Sequence, residues 1–343
     1  MNDSLMSNLV IDDKVIKTLL SDYKDHSING VKYNYLGKGG EGVVYKVADR
    51  VVKIYTKVEM NMIVKEFYVF GLLKELSDVN KNVVQIFDYY LAYSNPVLTM
   101  ELMDGDLTKW CTGMVENTTS KISDERYDEL WLGMIFQVTY GLMFLNRLKI
   151  LHTDTKSKNI LFKAVSNDDD VKIYDEYKIN DQSYSVPTNY RFKIADFGAV
   201  QILGSSSNRM TDEQIGLNIQ KREDLYELSR ILFRIKVNFG MNDYGWSEIN
   251  VLLKSNKEYR DYQKQQREKL DVDLGHMPQK IRDKMLLRSL IYYAIENDLI
   301  DSEEIVRKHN LRMPSERVNA VLDRLIDPDV RNVFDLFTMF KTR

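Results

Sequence analysis

The segment His152-Thr153-Asp154-Thr155-Lys156-Ser157-Lys158-Asn159 places an acid, a cation and an amide within one turn of chain. An aspartate such as Asp154 can accept the proton of an incoming hydroxyl, a lysine such as Lys156 can neutralise charge on a moving phosphoryl group, and the oxygen of Asn159 suits magnesium, a hard cation. Asp196, followed by Phe197-Gly198 at the end of the strand-like run RFKIADF, offers a second carboxylate to the same ion. A lone histidine is more often structural than catalytic, so His152 is read as a brace for the loop.

Upstream, Gly37, Gly39 and Gly42 followed by Val44 spell G-x-G-x-x-G-x-V. Glycines let backbone amides approach phosphates, and Val44 can lie against an adenine ring. The motif sits between two strand-like runs rather than before a helix, which disfavours a dinucleotide fold, and no G-x-x-x-x-G-K-[ST] frame fits there. Alone, such a motif is also what a plain glycine-rich hairpin would show. Lys53 stands among apolar neighbours in Val51-Val52-Lys53-Ile54-Tyr55, where a cation can reach the α and β phosphates. An acid from the next helix is needed to hold it; Glu66 is the better candidate and Glu59 the runner-up.

These groups need a scaffold that brings four stretches of chain to one place. Short β-like runs from Val31 onward (VKYNYLG, VVYKV, VVKIY) open an antiparallel sheet, a helical pattern covers about Val58 to Leu76, and NVVQIFDYYLAY and PVLTMEL return to strand character. After Met103 the pattern is mainly helical, with Asp124 to Leu148 longest. The predicted fold is therefore α+β and two-lobed: residues 1–30 a helical extension that packs, 31–103 a small lobe of antiparallel sheet with one main helix, and 104–343 a larger helical lobe. Within it, an aspartate-rich insert at about 164–190 is read as a protruding hairpin or partly mobile segment. The charged run at 254–270 reads as a solvated helix face.

Composition bounds the rest. The chain has 343 residues, 44% of them hydrophobic, enough for a substantial core, and a formal charge of −3 that gives no general pull toward nucleic acid or an anionic membrane. A single cysteine, Cys111, excludes an intramolecular disulfide and a multi-cysteine zinc site, and points to a reducing compartment, cytoplasm or nucleus. The N-terminus lacks the pattern of a secretory signal. The apolar stretch Leu130 to Leu148 is broken by Gln137, Thr139, Tyr140, Asn146 and Arg147 and reads as a buried helix rather than a membrane span.

Taken in order, the motifs resemble those of a eukaryotic-type protein kinase, over almost the whole chain. Asp224, in REDLYELSRILF, resembles the aspartate of that family's central helix, and Asp327-Pro328-Asp329-Val330-Arg331 its C-terminal arginine motif. The resemblance implies use of ATP and Mg2+, with Met100 as gatekeeper, the backbones of Glu101 and Met103 on adenine, and Asp106 near the ribose. Lys156, two places after the catalytic aspartate, resembles Ser/Thr rather than tyrosine kinases, which implies a protein substrate. The chain departs from the family where Thr153 replaces an arginine that binds an activation-loop phosphate. It departs again where GSSSNRMTDEQIGLNIQKRE stands in place of an Ala-Pro-Glu segment, leaving Arg331 in need of a new partner, with Glu213 the candidate. These departures mark a divergent branch, of the kind a large DNA virus or an intracellular bacterium could carry. Two other readings stay open: a kinase-fold enzyme acting on a small molecule, and a non-catalytic scaffold.

Overall fold

The computed structural model describes residues 11–57, 60–76, 81–117, 122–166, 168, 171–179, 182–202, 223–325 and 340. Six strands, β1 (His26–Ile28), β2 (Val31–Lys38), β3 (Gly42–Val47), β4 (Arg50–Tyr55), β5 (Ile86–Ala92) and β6 (Asn95–Glu101), form one antiparallel sheet in the order β1-β2-β3-β4-β6-β5. The β1–β2 hairpin closes through Asn29 and Gly30, both at positive φ (52° and 79°), the two-residue turn whose twist matches paired strands. Residues 1–30 are therefore not helical throughout. Helix α1 (Asp13–Asp22), capped by Asp12, stops at Tyr23, whose φ of 54° breaks the helical path, and His26–Ile28 then adds an edge strand.

The two faces of the sheet are covered differently. Val15, Ile16 and Leu19 of α1 pack with Val43, Tyr45, Val52 and Ile54 in a core of their own. On the opposite side α2 (Met60–Glu75) presents Val69, Phe70 and Leu73 to Tyr55, Ile86 and Leu98, within the core that continues through the helical region. The packing expected of the extension thus holds for its described part.

After β7 (Gly105–Asp106) and α3 (Leu107–Glu116), helix α4 (Asp124–Arg147) runs through the middle of the larger region. It is buried on nearly every side, which accounts for its almost continuous apolar sequence. No helix among the described residues is long and apolar enough to cross a membrane. A Cβ at Gly133 would stand 2.6 Å from the carbonyl oxygen of Pro187, so glycine there admits close packing. Around α4 lie β8 (Ile150–Leu151), β9 (Ile160–Ala164), β10 (Tyr174–Ile179), β11 (Gln182–Pro187), β12 (Tyr190–Ile194) and β13 (Gln201–Ile202), paired as β12-β9-β7, β13-β8 and β10-β11.

The insert does form a hairpin, β10–β11, but it does not protrude. Tyr177, Ile179, Tyr184 and Val186 are buried, and Tyr177 packs edge-on against Phe136 and Tyr140 of α4 with ring centroids 5.1 and 4.9 Å apart. Arg126 fixes its base by donating to the Val171 carbonyl at 3.0 Å and to Asn189 Oδ1 at 2.5 Å.

The remaining helices are α5 (Glu223–Ser229), α6 (Ile231–Asp243), α7 (Trp246–Ser255), α8 (Lys257–Leu274), α9 (Gln279–Glu296), α10 (Ser302–Lys308) and α11 (Glu316–Arg324). Val237, Ile249, Leu253, Tyr259, Leu290 and Ile291 build a separate core among them. Helix α8 takes up most of the charged run and buries Tyr259, which agrees with a solvated face. Hydrogen bonds from Val84 N–H to the Ile194 carbonyl and from Ile194 N–H to the Asn82 carbonyl, both 2.9 Å, join the sheet side to β12 at the back of the cleft.

Candidate active site

The loop between β8 and β9 is held by its own side chains. Asn159, in a single 3₁₀ turn (Ser157–Asn159), donates from Nδ2 to both the carbonyl oxygen and Oδ2 of Asp154, each at 2.9 Å. Lys156 Nζ donates to the same Oδ2 at 2.6 Å. With its nitrogen committed to Asp154, the Asn159 amide has its oxygen as the end that can meet a cation. Asp154, Lys156 and Asn159 are thus brought together.

His152 is buried and sits behind this loop. Its Nε2 lies 3.0 Å from the Ala195 carbonyl oxygen, and its Nδ1 faces the Asp154 N–H at 3.4 Å. With these neighbours the ring can donate from Nε2 and accept at Nδ1. The imidazole packs edge-on to Phe197 with centroids 5.5 Å apart. It braces the Asp154 loop against the Asp196 strand end, as its sequence context indicates, and Ala195 N–H to the Asn159 carbonyl at 2.8 Å adds a second tie.

Asp196 takes a left-handed backbone, φ 66°, a conformation that aspartate tolerates better than most residues, and its Oδ1 accepts from Lys53 Nζ at 3.0 Å. Thr153 is also left-handed at φ 60° and donates Oγ1 to the Ala199 carbonyl at 2.5 Å. A short polar side chain here grips the backbone just after Gly198.

Lys53 arrives on β4 opposite Val44 of β3. Among the described residues its ion-pair partners are Asp196 at 3.0 Å and Glu41 at 3.2 Å. Burial alone would lower the ammonium, but the carboxylates of Asp196, Glu66 and Glu41 outweigh it and hold Lys53 above its ordinary value. The expected Lys53–Glu66 pair is replaced: Glu66, on α2 and only 3% exposed, accepts from the Tyr55 hydroxyl at 2.6 Å. Desolvation pushes the Glu66 carboxyl up to about 7, against the opposing pull of Lys53 and the Tyr55 hydrogen bond. The alternative acid, Glu59, lies outside the described residues.

The three loop glycines are not equivalent. A Cβ on Gly42 would fall 2.3 Å from the Ile54 carbonyl oxygen, so only glycine fits against β4. A Cβ on Gly39 would have its nearest neighbour, the Gly42 carbonyl oxygen, at 3.9 Å, and one on Gly37 would meet nothing within 4 Å. Glu41, between these glycines and Gly198, was missed because the loop was read for its glycines alone. The available signal was an acid in the turn joining β2 to the strand that pairs with the Lys53 strand.

Between the sheet and the loop lies a cleft of about 450 Å³. Apolar walls from Val44, Leu98, Met100 and Leu161 face Lys53, Asp154, Lys156, Asn159 and Asp196. This combination suits an apolar ring carrying a charged tail. Gly39, Gly42 and Glu66 also line it, whereas Gly37, Glu101, Met103 and Asp106 do not. Asp106 caps α3, accepting from Lys109 N–H at 2.8 Å. The Glu101 carboxylate accepts from Lys193 Nζ at 2.5 Å and from Gln85 N–H at 2.6 Å. Asp196 and Asn159 form a sparse oxygen donor set, and the described residues contain no cluster of three or more acids, histidines or cysteines placed to hold a metal. Such a set fits magnesium, which keeps waters and takes phosphate oxygens as its remaining ligands. The side chain of Asp224 falls outside the described residues, as do Glu213 and residues 327–331.

The protein kinase domain family model matches residues 31–217, more than half of the 343 residues, and the chain belongs to that family. The cell division control protein 2 homolog 3 of Trypanosoma brucei brucei is 31% identical over 169 residues, covering 46% of this chain and 50% of that protein. The mitogen-activated protein kinase kinase 9 of Arabidopsis thaliana is 27% identical over 151 residues, 42% of this chain and 44% of that protein. A crystal structure of a kinase domain covers 62% of this chain and 66% of that chain at 18% identity and a TM-score of 0.39. The chain therefore spans half or less of the length of these two relatives.

Proposed function

We propose that the protein is an ATP- and Mg2+-dependent Ser/Thr protein kinase. The observation that carries this reading is the convergence of Asp154, Lys156, Asn159, Asp196 and Lys53 on one cleft with an apolar wall. In the transfer, the acceptor hydroxyl loses its proton to the Asp154 carboxylate. Its oxygen forms a bond to the γ-phosphorus, and the bond from that phosphorus to the leaving oxygen of ADP breaks. Lys156 offsets charge at the moving group, and Lys53 holds the remaining phosphates. Asp196 and the Asn159 oxygen would hold magnesium, which neutralises phosphate charge when bound. Val44, Leu98, Met100 and Leu161 would enclose the base; adenine contacts from the Glu101 and Met103 backbones, and a ribose contact from Asp106, are part of the same proposal.

A protein acceptor is favoured by the protein kinase named among the relatives, and serine or threonine by the resemblance of Lys156, two places after Asp154, to the loop of Ser/Thr kinases. A panel of generic protein acceptors and small hydroxyl compounds, incubated with labelled ATP and Mg2+, tests this. Label in serine or threonine of protein alone is the expected result. Label confined to a small molecule would move the chain to the small-molecule class, and no label in any acceptor would favour a scaffold.

A further inference from the structure

The glycine loop carries an acid into the position where a nucleotide would place its phosphates. Glu41 reaches from the β2–β3 turn to Lys53 Nζ at 3.2 Å, and its Oε1 and Oε2 lie 2.9 and 3.2 Å from where a Cβ on Gly198 would stand. The carboxylate thus spans the cleft mouth, from the glycine loop to the Asp196-Phe197-Gly198 turn, and only the lack of a side chain at Gly198 leaves room for it. Lys53 is shared between Glu41 and Asp196, and its side chain is 14% exposed, so an incoming phosphate must compete for an ammonium already engaged twice.

Charge around the cleft makes that competition depend on a cation. Glu41, Glu66, Asp154 and Asp196 line it together with Lys53, Lys156 and Lys158. A bare nucleotide tail would bring further negative charge beside Glu41 and Asp196. A divalent cation offsets both the tail and Asp196, and Lys53 can then turn from Glu41 to phosphate. The backbone is ready for this exchange. The Glu41 carbonyl is fixed by Thr56 N–H at 2.8 Å and Lys57 N–H at 3.3 Å, while its side chain is 40% exposed, so a rotation of the side chain alone clears the site.

We propose that Glu41 is a specificity-determining residue: its carboxylate pairs with Lys53 where a phosphate would bind, and makes the site accept metal-charged nucleotide while rejecting the bare form. This rests on the reading of the cleft as a nucleotide site. The test is calorimetric titration of ADP into wild type, Glu41→Gln and Glu41→Ala, each with Mg2+ and with EDTA, after thermal melting has shown all three folded. Removing Mg2+ should weaken wild-type binding by about 100-fold, and the two variants by about tenfold or less. Both variants should then bind bare ADP about tenfold more tightly than wild type. Equal loss on chelation in all three proteins would overturn the role of Glu41. A wild type that binds no ADP even with Mg2+ would instead overturn the nucleotide reading, so the two failures are distinct.

Discussion

Tyr55 donates its hydroxyl to Glu66 across 2.6 Å, and so holds the helix acid on the strand that carries Lys53 while Lys53 itself pairs with Glu41 and Asp196. The two partners are thus separated by one residue of β4 rather than joined directly. Burial of Glu66 gives this arrangement a pH signature.

The Glu66 carboxyl is raised from 4.5 to about 7 in the folded chain. The folded state therefore binds its proton more tightly than the unfolded state. The stabilisation is full below pH 4.5 and is lost as pH rises through 7. A shift of this size corresponds to ~3 kcal/mol. Glu66→Gln, which stays neutral, should gain on wild type by about that amount between pH 4.5 and pH 8 in denaturant unfolding. Parallel stability curves for the two proteins would show that Glu66 does not titrate in this range.

Gly42 and Gly37 should respond oppositely to the same added methyl group. Gly42→Ala drives a Cβ to 2.3 Å from a backbone oxygen and must displace β3 from β4 at the wall of the cleft. It should weaken ADP binding by about tenfold and lower stability by about 1–3 kcal/mol. Gly37→Ala meets open space and should stay within about 0.5 kcal/mol of wild type. Similar affinities for the two variants would contradict the geometry.

The Thr153 hydroxyl holds the Ala199 carbonyl, at the position where the resemblance implies a phosphate-binding arginine. Thr153→Val keeps the shape but removes the donor; it should cost about 1–2 kcal/mol and reduce turnover. Thr153→Ser should retain both. Since the tether needs no phosphate, phosphatase treatment of wild type should leave labelling of an acceptor unchanged. A turnover that depends on prior phosphorylation would sink this account.

The Arg126 guanidinium is almost fully buried and bonds Glu129, the Val171 carbonyl and Asn189, joining α4 to the insert. Arg126→Leu leaves the Val171 and Asn189 oxygens without this donor and should destabilise by about 3 kcal/mol, read in urea unfolding. A neutral effect would mean that the buried Tyr177, Ile179, Tyr184 and Val186 hold the hairpin without this guanidinium.

Much of this was legible in local sequence, because the groups concerned are set by neighbours along the chain. The loop from His152 to Asn159 is closed by hydrogen bonds spanning two to five residues, and strand alternation around Lys53 marks its place in the sheet. What escaped depends on partners far apart in sequence or on competition between them. Nothing near Glu66 signals that Tyr55 takes it rather than Lys53. Polar composition made the insert look exposed, whereas its alternate residues Tyr177, Ile179, Tyr184 and Val186 face the core across a distance only the fold defines. The edge strand His26–Ile28 likewise exists through pairing with β2 rather than through its own propensity.

The central claim is that Asp154 accepts the proton of the hydroxyl that receives phosphate. Its most direct measurement is single-turnover transfer from labelled ATP to a generic protein acceptor in Mg2+, comparing wild type with Asp154→Asn at matched ADP affinity. The account predicts that nucleotide binding persists while the transfer rate falls by about 10²–10⁴-fold. Transfer at the wild-type rate in Asp154→Asn would contradict it.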